Sequence, residues 1–371
     1  MSSRLPARLL VLALAAWNSL AAPGRRQPPD APRRILIAHH LLLGDTLMLT
    51  PLLAKLRARY PAAEIIMATP KAIAPLYRNH PYGVIALPYD PRDGTTLRAL
   101  LKAGGFDLAI VPGDNRYSWL ARAAGARWII AFSGDRPAYK NWPVDRFVPY
   151  PDQPAAWGDM VSGLIDGSPP APYKPEDWPA PDFRPFALPP QPYCILHVGA
   201  STVLKLWSPE KWRALAEFLT KCGLQIVWSG GPGEQSVVDK IDPDKKHLSF
   251  AGQLDLAQLW HLLAHARLLV CPDTGAAHLG RIVGIPTVTL FGPGSPVLCG
   301  AGEFWRNSPY RAVTVDNFPC RDQRVIFKRT IGWVRRCGRG QRECVNVGAC
   351  MDGIQVADVR RAIEELGIRD E

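Results

Sequence analysis

The sequence has no Walker A loop, and no G-x-G-x-x-G follows its first apolar strand. Those absences remove the usual support for an ATPase or a dinucleotide-dependent dehydrogenase. No Asp-x-Asp or histidine-rich metal site is expected, so the chemistry is expected to be metal-independent and to need no cofactor. The apolar run Leu9–Trp17 is too short to span a bilayer as a helix, and nothing later in the chain reads as a transmembrane segment. The C-terminal cysteines Cys320, Cys337, Cys344 and Cys350 lack the paired C-x-x-C knuckles of a typical zinc site. A zinc or disulfide staple over that basic loop stays open. Cys194, Cys222 and Cys271 fall in expected strands or helix ends, where a buried thiol is the ordinary reading.

What is present is a globular composition, 47% hydrophobic and 21% charged, over 371 residues, enough for two ordinary domains. The net charge of +11 is concentrated in two places. Residues 1–60 hold nine Lys/Arg against Asp30 and Asp45, and residues 320–344 hold eight against Asp322 and Glu343. Such patches suit an anionic membrane surface, an acidic glycolipid or nucleic acid, or serve solubility alone. Nucleic acid is not expected, because the basic residues are not interleaved with stacking aromatics. At the N-terminus, Arg4, Arg8, the apolar run and Ser19-Leu20-Ala21 make a passable signal peptide, which would place the protein in the periplasm. The alternative is a helix lying in the cytoplasmic interface of the inner membrane, with Arg25, Arg26, Arg33 and Arg34 on lipid headgroups.

Along the chain, strands are expected at Ile35–Ala38, Glu64–Ala68, Val84–Leu87, Leu108–Val111 and Trp128–Phe132, with helical stretches between. The first helix is expected over Thr46–Tyr60, with Pro51 marking a kink or a later start. Ten prolines between Pro169 and Pro192 read as a stiff, extended linker. Strand and helix then alternate again: Cys194–Val198, Pro209–Lys221, Leu224–Ser229, Asp255–Ala266 and Leu268–Cys271. The expected organisation is a leader at 1–30, an acceptor-side domain at 31–168, the linker at 169–192, a second domain at 193–350 with a basic cysteine-bearing loop at 299–350, and a C-terminal helix at 351–371. The fold class is α/β with two parallel sheets.

Four turns, each at the carboxyl end of an expected strand, carry the candidate chemistry. The stretch Val270–Pro293 places Asp273, Thr274, Gly275 and His278 at a strand-to-helix turn, which suits a nucleotide diphosphate. The plain alternative is a helix corner capped by Asp273 or Thr274. Gly44-Asp45 ends the first strand's turn, where Asp45 is either a general base toward an acceptor hydroxyl or an N-cap. Gly199 and Ser201 follow the strand ending at Val198. Lys205 beyond them is either a counter-charge for a diphosphate or an exposed loop lysine. Gly230 and Gly231 let the backbone approach a ligand closely, and Glu234 could accept from ribose hydroxyls.

The blocks ILIAHHLLLGDTLMLTPLLAKLRARYP, LHVGAS with K-LWSPEKW, GGPGE and CPDTGAAHLGRIVGIPTVTLFGP resemble, in order and spacing, glycosyltransferase family 9, the heptosyltransferases of lipopolysaccharide assembly. The resemblance spans residues 34–366. It implies a GT-B fold, two Rossmann-like domains facing a central cleft, and inverting, metal-independent transfer from a nucleotide-activated heptose, most simply ADP-heptose. The acceptor would be a lipopolysaccharide core-type glycolipid; the alternatives are a GT-B transferase of another nucleotide sugar and glycan, or a sugar-nucleotide-binding, membrane-associated protein without turnover. Asp45 matches the family's base, Lys205 its phosphate-contacting lysine and Glu234 the acid near the donor ribose. Asp273, Thr274, Gly275 and His278 match its phosphate and sugar contacts. The sequence departs from the family at the turn before Gly44, where His39, His40 and Leu41 to Leu43 stand instead of an arginine and small or polar residues. His39, His40 and Gly44 are therefore the expected acceptor-side positions.

Overall fold

The computed structural model describes residues 4–20 and 27–369. Ala21 of the expected cleavage site, and Arg25 and Arg26, lie outside the described residues. The chain divides into two compact units. The first comprises residues 1–171, 176–181 and 325–333, and the second comprises 172–175, 182–324 and 334–371.

The first unit is built on six parallel strands: β1 (Arg34–Ile37), β2 (Glu64–Thr69), β3 (Val84–Pro88), β4 (Leu108–Val111), β5 (Trp128–Phe132) and β6 (Arg146–Val148). Their order is β3-β2-β1-β4-β5-β6, with Leu36 of β1 in register with Ile66 on one side and Ala109 on the other. The central strands are continuous apolar runs because helices cover both faces of the sheet. Those helices are α1 (Arg4–Leu20), α2 (Leu43–Leu47), α3 (Thr50–Arg59), α4 (Gly94–Lys102), α5 (Tyr117–Ala123) and α6 (Trp157–Ser162). Leu36, Phe106, Ala109, Leu120 and Ile129 lie in one of its buried apolar clusters. The helix expected over Thr46–Tyr60 is two helices. The chain bends at Met48-Leu49, and Pro51 sits in the first turn of α3, where its missing N–H has no intrahelical acceptor to lose.

Helix α1 is an integral part of this unit. Ala7 and Val11 lean on the core, Ala15 is fully buried, and Asn18 Nδ2 donates to the carbonyls of Arg122 (2.9 Å) and Ala123 (3.1 Å) at the end of α5. Positions 7, 11, 15 and 18 form one stripe of a helix. The remainder of its surface leaves Leu9, Leu10, Leu12, Trp17 and Leu20 exposed, Trp17 at 70%. Among the described residues no helix is long and apolar enough to cross a membrane.

The second unit repeats the plan with β7 (Tyr193–His197), β8 (Gln225–Ser229), β9 (Leu248–Ser249), β10 (Leu268–Pro272), β11 (Thr287–Phe291) and β12 (Tyr310–Thr314), in the order β12-β11-β10-β7-β8-β9, all parallel. Its helices are α7 (Pro209–Lys221), α8 (Gln235–Ile241), α9 (Leu256–Ala264), α10 (Gly275–Val283), α11 (Pro296–Cys299), α12 (Ala349–Asp352) and α13 (Val356–Glu364). Trp212, Leu215, Trp228, Val270 and Leu290 lie in its core. Short strands β6, β9 and β12 escape pattern reading, as β6 and β9 have three residues or fewer and the burial of β12 does not alternate.

The proline-rich stretch is extended but not loose. Tyr173 Oη donates to Ile282 O at 2.7 Å within the second unit, while Trp178 is buried in the first, its Nε1 donating to Leu76 O at 3.2 Å. A small antiparallel hairpin, β13 (Val325–Ile326) and β14 (Arg329–Thr330), belongs to the first unit although the chain on either side of it belongs to the second.

Candidate active site

In an open parallel sheet, ligands bind outside the carboxyl ends of the strands where the chain switches direction. In the second unit that point lies between β7 and β10, which are neighbours although far apart in sequence. Lys205, from the loop after β7, meets Asp273, from the turn after β10. Its Nζ donates to Asp273 O at 2.6 Å and to Oδ2 at 2.9 Å. Lys205 is therefore a held cation rather than a free loop lysine. Thr274 occupies the N-cap position of α10 in extended geometry, yet α10 has no side-chain cap. Thr274 Oγ1 is buried and has no hydrogen-bond partner among the described residues, so its hydrogen-bonding capacity is unspent. Gly275 and Ala276 supply first-turn amides, which have no intrahelical acceptor. A lysine, an uncapped helix start and an unpartnered hydroxyl together suit a phosphate.

His278 lies one turn further along α10 and is buried. Arg281, three residues on and 1% exposed, donates to His278 Nδ1, to Gly300 O and, at 3.0 Å, to Cys299 O. Its guanidinium also lies over the rings of Trp305 and Tyr310, 5.0 and 4.9 Å from their centroids. An arginine can only donate, so His278 Nδ1 accepts and the ring proton sits on Nε2. Burial, then Arg281, then Lys205 hold the His278 pKa well below its usual value. His278 is thus a neutral, oriented Nε2–H donor. Arg281 is absent from the sequence reading; its i, i+3 spacing from His278 on one helix face is the signal that could have found it.

Glu234 stands at the N-cap position of α8 but makes no cap bond to it. Its carboxylate turns back, accepting from Gly231 N at 2.5 Å and lying directly over Gly199. A Cβ on Gly199 would stand 1.6 Å from Glu234 Oε2, so the carboxylate keeps this position only over a glycine. The turns after β7 and β8 are brought together by this carboxylate, with Gly230 also packed against it. Ser201 is exposed beyond them. The chain does contain one Asp-x-Asp spacing, at Asp242 and Asp244. Asp242 ends α8, accepting from Trp228 Nε1 and from the amides of Lys246 and His247, each at 3.0 Å. It is a turn-forming carboxylate.

In the first unit the equivalent switch point lies between β1 and β4. After β1 the chain turns through His39–Leu42 into α2. Leu42 holds the N-cap position, so Asp45 is not the cap; it lies half-buried in the first turn, where the helix dipole favours a negative charge. His39 is 1% exposed, and its Nδ1 accepts from Leu41 N at 3.2 Å, fixing the turn from beneath. Burial and, second, His40 lower its pKa to about 3. His40 is half-buried, edge-on to Tyr89, and Gly44 O accepts from Met48 N at 2.9 Å. Of the positions expected on the acceptor side, His39 supports the turn from the core, while His40, Gly44 and Asp45 remain partly accessible.

The family model for glycosyltransferase family 9 (heptosyltransferase) matches residues 95–325, more than half of the chain. This chain belongs to glycosyltransferase family 9. The matched stretch contains Lys205, Glu234, Asp273 and His278, and Asp45 precedes it. Lipopolysaccharide heptosyltransferase 1 of Pseudomonas aeruginosa is 25% identical over 80% of this chain and 88% of its own length. Among solved structures, the family 9 glycosyltransferase of Veillonella parvula superposes with a TM-score of 0.69 at 19% identity, covering 90% of this chain and 97% of that one. Escherichia coli heptosyltransferase WaaC with ADP superposes with a TM-score of 0.67 at 18% identity, covering 90% and 99%. The family 9 enzyme described here is a glycosyltransferase with the two-sheet GT-B fold.

Proposed function

We propose that this glycosyltransferase moves a heptose from ADP-heptose to a hydroxyl of a lipopolysaccharide core-type acceptor, with inversion and without a metal. The observation that carries the donor side is the Lys205–Asp273 pair beside the uncapped start of α10. In this reading, Lys205, the first amides of α10 and Thr274 Oγ1 take the charge that develops on the leaving diphosphate. His278, held neutral by burial and Arg281, donates from Nε2 to a phosphate or sugar oxygen. Glu234, over Gly199 and Gly231, accepts from the ribose hydroxyls. Gly275, Gly230 and Ser201 line the same side.

Asp45 removes the proton from the acceptor hydroxyl as its oxygen bonds to the anomeric carbon. The bond to the diphosphate oxygen breaks, ADP leaves with the electron pair, and the configuration inverts. No cofactor enters the reaction. Nucleotide release from ADP-heptose, with and without a heptose-deficient lipopolysaccharide, tests this directly. Acceptor-dependent release that disappears in Asp45→Asn, with ADP affinity kept, is the expected result. Wild-type rates in Asp45→Asn would remove the base assignment, and no release would remove the donor.

The apolar outer face of α1 supports peripheral attachment to the cytoplasmic face of an anionic membrane, where the sugar nucleotide and the lipid acceptor meet. Retention of α1 is favoured over its cleavage as a signal peptide, because removing it would uncover the α5 carbonyls that Asn18 satisfies.

A further inference from the structure

The hairpin β13–β14 is held in the first unit by one buried cation. Arg329, 4% exposed, donates to Ser133 O (2.8 Å), Gly113 O (3.0 Å), Phe132 O (3.3 Å) and Asn115 Oδ1 (2.8 Å), all at or just past the carboxyl ends of β4 and β5. It also bonds Phe327 O across its own turn (3.2 Å) and faces Asp135 at 3.5 Å. Trp333, just beyond, donates to Pro151 O at 2.8 Å. So fastened, the hairpin sets its two-residue tip at the switch point between β1 and β4. Phe327 packs on Trp157, ring centroids 5.1 Å apart, and Phe327 and Leu41 flank the same glycine, Gly113. Leu41 belongs to the turn that leads into Asp45.

The tip is strained. Phe327 and Lys328 both have positive φ, 45° and 66°, where a two-residue hairpin turn ordinarily uses Asn-Gly or Gly-Gly. Such strain persists where the surroundings impose it, and it concentrates at ligand-binding positions. Lys328 is exposed and pairs with no carboxylate among the described residues. Two carboxylates at the carboxyl ends of β4 and β5 are engaged elsewhere: Asp114 by Arg116 and Lys140, Asp135 by Lys140 and Arg329.

The geometry points to the hairpin tip as a wall of the acceptor crevice, with Phe327 packing beside the acceptor and the Lys328 ammonium binding an anionic group on it. This rests on the reading of the His39–Asp45 turn as the acceptor side. The anion is a phosphate or a carboxylate of an acidic glycolipid, the two groups an ammonium recognises alike.

Binding of heptose-deficient lipopolysaccharide to wild type, Lys328→Gln, Lys328→Arg and Lys328→Gly tests it, with parallel titrations of phosphatase-treated and carboxyl-reduced acceptor. Lys328→Gln is expected to weaken intact acceptor roughly tenfold in Kd and KM, as loss of one charge-assisted hydrogen bond does, and to leave ADP affinity unchanged. Lys328→Arg should restore most of the loss. Lys328→Gly, which relieves the positive φ, should melt no lower than wild type and still bind acceptor weakly. The penalty of Lys328→Gln should vanish on whichever stripped acceptor has lost the contacted anion. Wild-type affinity in Lys328→Gln, or a penalty undiminished on both stripped acceptors, overturns the assignment, as does an acceptor that fails to bind wild type. Binding that follows the expected pattern without heptose release from ADP-heptose would remove the donor proposal and leave the tip assignment standing.

Discussion

Single residues in this enzyme act through what their neighbours force on them. Lys205 and Asp273 are 68 positions apart and hold one another at the β7–β10 switch point. Lys205→Ala should weaken ADP binding roughly ten- to hundredfold, the scale of a charge-assisted hydrogen bond. Titration calorimetry checks it, and unchanged affinity would contradict the phosphate role. Gly199→Ala drives a methyl into the movable end of Glu234, so the carboxylate must swing off Gly231 N; the melting temperature should change little while ADP affinity falls roughly tenfold. Unchanged ADP affinity would contradict the ribose role of Glu234. Buried histidines make the fold acid-sensitive. Burial holds His197 down to about 4, and burial with His40 holds His39 down to about 3, while their unfolded values are near 6.5. Below pH 6.5 the unfolded chain binds protons that the native chain refuses, so stability falls as pH falls, by about 1.4 kcal/mol per pH unit for each such histidine. Denaturant melts at pH 7, 6 and 5 should show that slope, and a flat profile would refute it.

At the scale of elements, two additions distinguish the first unit from a bare doubly wound sheet. Helix α1 docks by one stripe and leaves its other surface apolar and open. Deleting residues 1–20 should lower the melting temperature of the enzyme and abolish its sedimentation with vesicles containing anionic phospholipid. Co-sedimentation equal to wild type would place the membrane contact on another surface. The hairpin β13–β14 depends on Arg329, whose removal leaves Asp135 and several carbonyls buried with fewer partners. Arg329→Ala should cost about 3 kcal/mol of stability, as breaking one half of a buried ion pair does. A loss near zero in chemical denaturation would show that the hairpin is held by its apolar contacts alone.

At the scale of the molecule, the two units share one strand order and each has its own buried core. The proposed donor groups Lys205, Glu234, Asp273 and His278 all belong to the second unit, and the proposed base Asp45 belongs to the first. ADP should therefore raise the melting temperature of the second unit's transition in calorimetry, by mass action on that unit. No ADP-dependent shift in any transition would count against the donor site.

The alternation of apolar runs with amphipathic stretches was enough to reveal two parallel sheets, because strands covered on both faces must be apolar throughout. Leu108–Val111, Trp128–Phe132 and Pro209–Lys221 are legible to the residue. The turns that carry Asp45, Lys205, Glu234 and Asp273 were legible too, since glycine, hydroxyl and acid at a strand's carboxyl end follow from local backbone needs. Local pattern could not say which distant groups meet. Only the packed sheets bring Lys205 to Asp273 and lay Glu234 on Gly199. The return of residues 325–333 to the first unit was likewise invisible, because most bonds that fix Arg329 go to backbone carbonyls, which no sequence marks, and its side-chain partners Asn115 and Asp135 lie about 200 positions away. Periodicity is a property of neighbours along the chain; a site is made by neighbours in space, and the tertiary structure alone chose them.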